Sequence, residues 1–233
     1  MSELKIIAMI PARLGSQRIP KKNIRIMVDK PLIDYPIDLC IQSKLFNEIW
    51  INTEDEKLGQ YATTKGINFH KRPPELASNT ATNRDFMYEF FKKHDCDYVV
   101  MVNPTSPLLK IDTMEKFVNV VHLNKYDTIL SVISEKTETY LKDEPVNFDV
   151  SKKINSQFLE PVKKVAWAMT AWKKTSFINM EDNGINPIFG GSVYLFDIPK
   201  DESCDLDTEE DWNIAEGMLT ALKNRMQPKY LDL

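Results

Sequence analysis

Cysteine is scarce in this sequence and never clustered. Cys40, Cys96 and Cys204 stand far apart, with no C-x-x-C pair and no Cys/His group. Protein zinc sites are built from such groups, so no zinc is expected. A sparse, odd set of thiols fits a reducing compartment. Cys40 lies on an apolar helical stripe and reads as core. His70, His94 and His122 have no ligand spacing and read as structural or surface residues. No apolar run approaches the length needed to span a bilayer, so no membrane partner is expected. The apolar stretch before Arg13 is too short for a signal-peptide core and reads as a buried strand. A soluble, cytoplasmic protein is the expectation.

Two familiar nucleotide motifs are also missing. There is no G-x-x-x-x-G-K-[S/T], which excludes a P-loop ATPase, and no G-x-G-x-x-G after the first strand, which argues against a dinucleotide site. A net charge of -4 argues against a generic nucleic-acid binder. At 233 residues and 42% hydrophobic, the chain has enough apolar material for a full core.

What is present alternates. "KIIAMIPA" is a continuous apolar run, as in a strand buried on both faces. "LIDYPIDLCIQSKLF" repeats apolar residues at helical spacing, with Pro36 near the start where a missing N–H matters least. "EIWINTE" is a strand, "DEKLGQYATTKG" a helix ending at Gly66, and "INFH" a short strand. "NRDFMYEFFKKH" is a helix, "YVVMVNP" a buried strand, "DTMEKFVNVVHL" a helix and "TILSVI" a strand. Such alternation demands an α/β fold, a mostly parallel sheet with helices on both faces. The loops after Ala12, Thr53 and Val102 should meet in one crevice at the carboxyl ends of the strands. Periodicity weakens over residues 135–186. That stretch reads as an arm inserted into a single domain spanning 1–233; the aromatics of "AWAMTAW" could stack on an acceptor or on a partner subunit, with a dimer contact favoured over plain core. "GGSVYLFDI" is a further strand and "DTEEDWNIAEGMLTALKNRM" a long helix. The tail "QPKYLDL" reads as loosely held.

No Asp or Glu occurs between Lys5 and Val28, yet Arg13, Arg18, Lys21, Lys22 and Arg25 crowd the loop after the first strand. Strand, Gly15-Ser16, then a cationic turn suits phosphate. Gly15 would let the backbone approach an anion, Arg13 offers a planar fork, and the lysines act as point charges. A merely solvated basic loop is the competing reading. Near the other end, "DESCDLDTEED" holds seven acids in eleven residues. Asp205 and Asp207 sit two apart, so in an extended segment both carboxylates face one way and can share a magnesium ion. Asp207 with Glu210 three residues on is equally a helix N-cap with its capping-box partner. Glu209, Glu210 and Asp211 read as helix-start charges. Together, a cationic loop and a carboxylate pair form the apparatus of nucleotidyl or phosphoryl transfer.

Four segments then carry a family resemblance. "IPARLGSQRIPKKN", with "KPLIDYPI" after it, resembles the opening signature of the acylneuraminate cytidylyltransferases, the CMP-sialic acid synthetases. "KRPPELASNTAT", "NPTSPLL" and "DLDTEEDW" resemble their second, third and fourth motifs, in order. The resemblance implies a glycosyltransferase-A-like nucleotidyltransferase fold, a homodimer with a reaching arm, and transfer of CMP from CTP to an acidic 2-keto-3-deoxy sugar with release of pyrophosphate. Carried over by position, Arg13, Ser16, Lys22 and Asn23 would bind the CTP phosphates, with Ala12 and Gly15 in the same loop. Arg72 would contact the nucleotide, and Ala77 and Ser78 would line the base and ribose pocket. Asp205 and Asp207 would hold Mg2+. Arg13, Lys22, Asp205 and Asp207 are thus the expected catalytic set, and Asn103 the expected acceptor contact.

The chain departs from the family on the acceptor side. Asn103 stands where glutamine is usual, the arm's R-Q-x-x-P stretch is replaced by "NSQFLEP" without arginine, and "GGSVY" replaces N-G-A-I-Y. "PKKN" points away from the 3-deoxy-octulosonate enzymes. Two alternatives stay open: the same fold acting on a different acceptor, such as 3-deoxy-octulosonate, a phosphonate or an alditol phosphate, and an inactive nucleotide-binding homologue.

Overall fold

Two apolar runs dictate the centre of the molecule. Strand β1 (Ile6–Pro11) and strand β4 (Tyr98–Val102) pair in parallel, and every residue from Ile6 to Ile10 and from Tyr98 to Val102 is buried. The computed structural model describes residues 4–224; the tail "QPKYLDL" lies outside them. On the other side of β1 lie β2 (Glu48–Thr53) and β3 (Asn68–Lys71), both parallel to it. Strands β5 (Thr128–Glu135), β6 (Val162–Lys173) and β7 (Val193–Asp197) complete a seven-stranded sheet in the order β7-β5-β6-β4-β1-β2-β3. Only β6 runs antiparallel to its neighbours, so the sheet is mostly parallel, as the alternation predicts.

Helices cover both faces. Ile6, Ala8 and Ile10 meet α1 (Asp34–Ser43), α2 (Glu56–Thr64) and α4 (Ile111–His122) on one side. Ile7 and Met9 meet α3 (Asn83–Lys93) and α5 (Lys174–Asp182) on the other. Side chains alternate across a strand, so one run of isoleucine and methionine serves both layers. Local signals set the helix ends. Asp55 caps α2 by accepting from Leu58 N at 2.7 Å, and Gly66, at φ +88°, turns the chain after it. Thr82 and Asp85 form a capping box at α3.

The last helix, α6 (Glu209–Lys223), does not cover the sheet. Its Trp212 and Ala215 pack with Ile19, Met27 and Leu32, so it clamps the first loop from outside. This brings the first loop and the last described helix to one place.

Residues 162–182 correct the sequence reading. They are not an inserted arm but the strand between β4 and β5, followed by a helix of the core. Ala168, Met169, Ala171 and Trp172 are fully buried. Only residues 136–161 leave the sheet, with a two-residue hairpin at Tyr140–Leu141 and Glu144–Pro145. Strand β6 is also irregular. Its ladder with β5 jumps from Val165↔Val132 to Thr170↔Leu130, so four residues of β6 oppose Ser131 alone. Ser131 Oγ fills part of the gap by accepting from Met169 N at 3.1 Å. Within this bulge Trp167 has a φ of +55°, an uncommon conformation for a bulky residue.

Candidate active site

A cleft of about 260 Å3 opens at the carboxyl ends of the parallel strands. Three loops build it. The loop after β1 supplies Ala12, Arg13, Ser16, Arg18, Lys22 and Asn23, the loop after β3 supplies Arg72 and Ser78, and the loop after β4 supplies Asn103 and Thr105. The loop after Thr53, expected to join them, does not line the cleft. It props the first loop instead, Glu54 Oε1 accepting from Leu14 N at 3.1 Å.

The first loop is held from within. Buried Asn23 donates Nδ2 to the Arg13 carbonyl at 2.9 Å, pinning the two ends of the loop together. Arg13 then reaches the second loop. Its Nη1 donates to the carbonyls of Ala77 and Ser78 at 3.2 and 2.9 Å and to Asn79 Oδ1 at 3.1 Å. Ala77 therefore serves through its carbonyl and does not line the cleft. Gly15 does not line it either. A Cβ there would meet nothing, and the left-handed residue of the loop is Lys21, at φ +54°. Any need for glycine at 15 thus comes from space for an approaching group, not from backbone conformation.

Arg72 is the most enclosed cation of the site. Nε donates to Asn52 Oδ1 and Nη2 to the Asn52 carbonyl, both at 2.7 Å, and the guanidinium lies 4.4 Å from the ring centre of Phe86. Burial lowers its pKa to about 10, opposed by Glu54, so it stays charged at neutral pH. Among the described residues no carboxylate pairs with it, and its charge faces the cleft it lines.

Lys22 joins this loop to the acidic segment. Its Nζ donates to the Leu206 carbonyl at 2.6 Å, between Asp205 and Asp207. Burial lowers its pKa, and Asp207 and Asp205 oppose the drop. Asp205 and Asp207 stand at the rim of the cleft, not in its lining. Arg18 Nη2 pairs with Asp207 Oδ1 at 2.7 Å. Asp205 shows open surface yet is crowded by protein atoms. Desolvation first, and Asp207 second, raise its carboxyl above the ordinary range, while Thr105, Lys22 and Arg18 oppose the rise. Two carboxylates under mutual repulsion form a donor set that fits a hard divalent cation. Among the described residues no group of three or more His, Cys, Asp or Glu could hold a metal, so the other ligands would have to come from elsewhere.

Asp207 is not the helix cap. Thr208 is the N-cap of α6, its Oγ1 accepting from Asp211 N at 3.2 Å. Asp211 Oδ2 takes the Thr208 N–H at 2.7 Å in return. The capping box is thus Thr208–Asp211, one residue later than expected, and the Asp207 carboxylate has no capping role.

Asn103 lines the cleft and donates Nδ2 to the Trp167 carbonyl at 2.8 Å. Through it the cleft touches the bulge in β6. A second cavity, about 440 Å3, lies on the far side of Asn83, which lines both. Trp167, Ile188 and Phe189 give it an apolar wall, the two aromatic rings 5.7 Å apart. Sequence reading missed Asn83 and Phe86, which lie on the first turn and the core stripe of a helix. It placed Trp167 in an aromatic segment able to stack on an acceptor, but nothing in the string marks the bulge.

The sequence model of the cytidylyltransferase family matches residues 7–164. The N-acylneuraminate cytidylyltransferase A of Danio rerio is 27% identical over 214 residues, covering 91% of this chain and 50% of that protein. The pseudaminic acid cytidylyltransferase of Campylobacter jejuni is 24% identical over 231 residues, 91% of this chain and 95% of that one. The chain spans about half the length of the N-acylneuraminate cytidylyltransferases it matches. Among solved structures, a CMP:2-keto-3-deoxy-manno-octonic acid synthetase complexed with CTP superposes with a TM-score of 0.68. It is 16% identical and covers 94% of this chain and 99% of its own, a likeness of fold.

Proposed function

The chain belongs to the cytidylyltransferase family, and from that premise we propose that it transfers CMP from CTP to an acidic 2-keto-3-deoxy sugar, a sialic acid or related nonulosonic acid, and releases pyrophosphate. One observation carries the reading. Lys22 of the cationic loop sits on the Leu206 carbonyl between Asp205 and Asp207, so the cationic loop and the acidic pair meet at the rim of one cleft.

In this reading Arg13, Ser16, Lys22 and Asn23 hold the triphosphate, and Arg72 and Ser78 hold the nucleoside. The acceptor enters past Asn103 toward the Trp167 cavity. Its hydroxyl oxygen attacks the α-phosphorus, the bond from that phosphorus to the bridging oxygen breaks, and pyrophosphate leaves with the electron pair. The hydroxyl proton passes to solvent. Asp205 and Asp207 would hold Mg2+, which would supply charge neutralisation for the leaving pyrophosphate. The protein's own share is orientation: two loops tied by Arg13 fix the α-phosphate while Asn103 and the bulge fix the acceptor. The working unit is a cytoplasmic homodimer joined through residues 136–161, whose Leu141, Val150 and Phe158 are each about 70% exposed.

The test is a screen of acceptors with CTP and Mg2+, read by mass spectrometry for CMP adducts and by pyrophosphate release. Sialic acid and other nonulosonic acids form one arm; 3-deoxy-octulosonate, an alditol phosphate and a phosphonate form the other. A CMP adduct confined to the second arm overturns the acceptor assignment. CTP binding with no adduct from any acceptor leaves an inactive nucleotide-binding homologue. Sedimentation at micromolar concentration as a monomer would overturn the dimer.

A further inference from the structure

Among the described residues, Arg18 makes the one ion pair to either aspartate of the acidic pair. Its Nη2 stands 2.7 Å from Asp207 Oδ1. Lys22, the other loop cation at this place, gives its Nζ to the Leu206 carbonyl instead. Among the described residues Asp205 has no ion-pair partner. Arg18 takes one oxygen of Asp207, and a divalent ion held by the pair would bind the same carboxylate at about 2.0–2.1 Å. Two cations on one carboxylate repel, so each weakens the other's hold.

We propose that Arg18 is a competing cation for Asp207, exchanged by the divalent ion, and so couples metal binding to the charge of the nucleotide cleft. This rests on the reading of Asp205 and Asp207 as metal ligands. The pair is open to solvent, with side-chain exposures of 68% and 40%, so exchange is easy in both directions. Arg18 also lines the cleft. A guanidinium released from Asp207 stays tethered there and adds one positive charge where an anionic ligand would lie. The ion thereby favours the anion, and by linkage the anion favours the ion.

The experiment uses Mn2+ alone as the probe, counted by the electron paramagnetic resonance signal of the free ion, with no nucleotide present. Arg18→Gln should bind Mn2+ about two- to five-fold more tightly than wild type, the range an exposed pair of this kind commands. Lys21→Gln removes the same charge from the same loop but no ion pair, and should change affinity less. In an Asp207→Asn background the effect of Arg18→Gln should vanish. Unchanged or weaker binding by Arg18→Gln overturns the proposal, as does an equal gain in Lys21→Gln, which would mean a general field effect. Absence of Mn2+ binding in both wild type and Arg18→Gln also overturns it. If Asp205→Asn and Asp207→Asn leave Mn2+ binding intact, the metal reading itself has failed. If they abolish binding while Arg18→Gln changes nothing, only the exchange has failed.

Discussion

Lys22 donates its ammonium group to the carbonyl oxygen of Leu206, 184 residues further along the chain, at 2.6 Å. This contact ties the first loop to the segment before the last helix, beside the Arg18–Asp207 and Arg25–Glu209 ion pairs. Lys22→Ala should lower kcat/KM for CTP by roughly ten-fold or more, because a hydrogen bond to a charged group is worth about 1.5–3 kcal/mol. Arg13→Ala should do the same, since it also frees the loop at residues 77–79. Lys21→Ala should matter less. Steady-state kinetics with CTP as the varied substrate decide it: near-normal values for both Lys22→Ala and Arg13→Ala would remove the loop from nucleotide binding.

Capping and metal binding fall on neighbouring residues and can be separated. Thr208→Ala should cost about 0.5–2 kcal/mol in urea unfolding, as the loss of an N-cap does, with turnover reduced modestly. Asp207→Asn and Asp205→Asn should leave stability near wild type and abolish most turnover, with weaker apparent Mg2+ affinity. A large stability loss in Asp207→Asn would return that residue to a structural role.

Acid sensitivity should centre on two histidines beneath the site. His70 Nδ1 and His94 Nε2 lie 2.9 Å apart, and His70 Nε2 meets Glu89 Oε2 at 2.7 Å. Burial, and for His94 also His70, lowers both pKa values, that of His94 from 6.5 to about 4. The unfolded chain therefore binds more protons than the folded one between those values. Stability from this pair is fully present above about pH 6.5 and is lost as pH falls toward 4. Melting temperature measured from pH 7.5 to 4.5 should fall most steeply below 6.5. His94→Gln should start lower, through lost stacking on Phe90, yet follow a flatter curve. An unchanged slope would place the acid response elsewhere.

Trp167 offers a split between substrates. Trp167→Gly suits a φ of +55° and keeps the carbonyl that Asn103 grips. KM for the acidic sugar should rise several-fold while KM for CTP stays within about two-fold, since the indole faces the second cavity and not the nucleotide cleft. Equal rises in both would mean that the change loosens the whole sheet end.

The parallel half of the fold was legible because its strands are buried on both faces and so appear as unbroken apolar runs, as in Ile6–Pro11 and Tyr98–Val102. Strand β6 was not. Lys163 and Lys164 lie where it has outrun β4 and pairs with β5 alone, so they are exposed. The bulge at 166–169 then breaks the alternation. The cleft lining was legible where short strings place polar side chains in loops: Arg13, Lys22, Asn23 and Arg72. The cap was mistaken because "DTEED" permits both an Asp207 box and a Thr208 box, and only backbone direction chooses between them. Asn83 and Phe86 were hidden because a residue at a helix start shows no sign of which cavity it faces.

The antiparallel strand also sets an order of assembly. Strands β3, β2, β1 and β4 can pair as soon as residue 102 has left the ribosome, but the edge of β4 that β6 will cover stays open for some sixty residues more. That edge is five consecutive buried residues, Tyr98–Val102, without a charge among them, and an unpaired apolar edge of this kind recruits other chains. Synthesis beyond Lys173 closes it. A nascent chain stalled or cleaved before Val162 should therefore depend on chaperones and partition into aggregates, although every cation of the first loop is already in place.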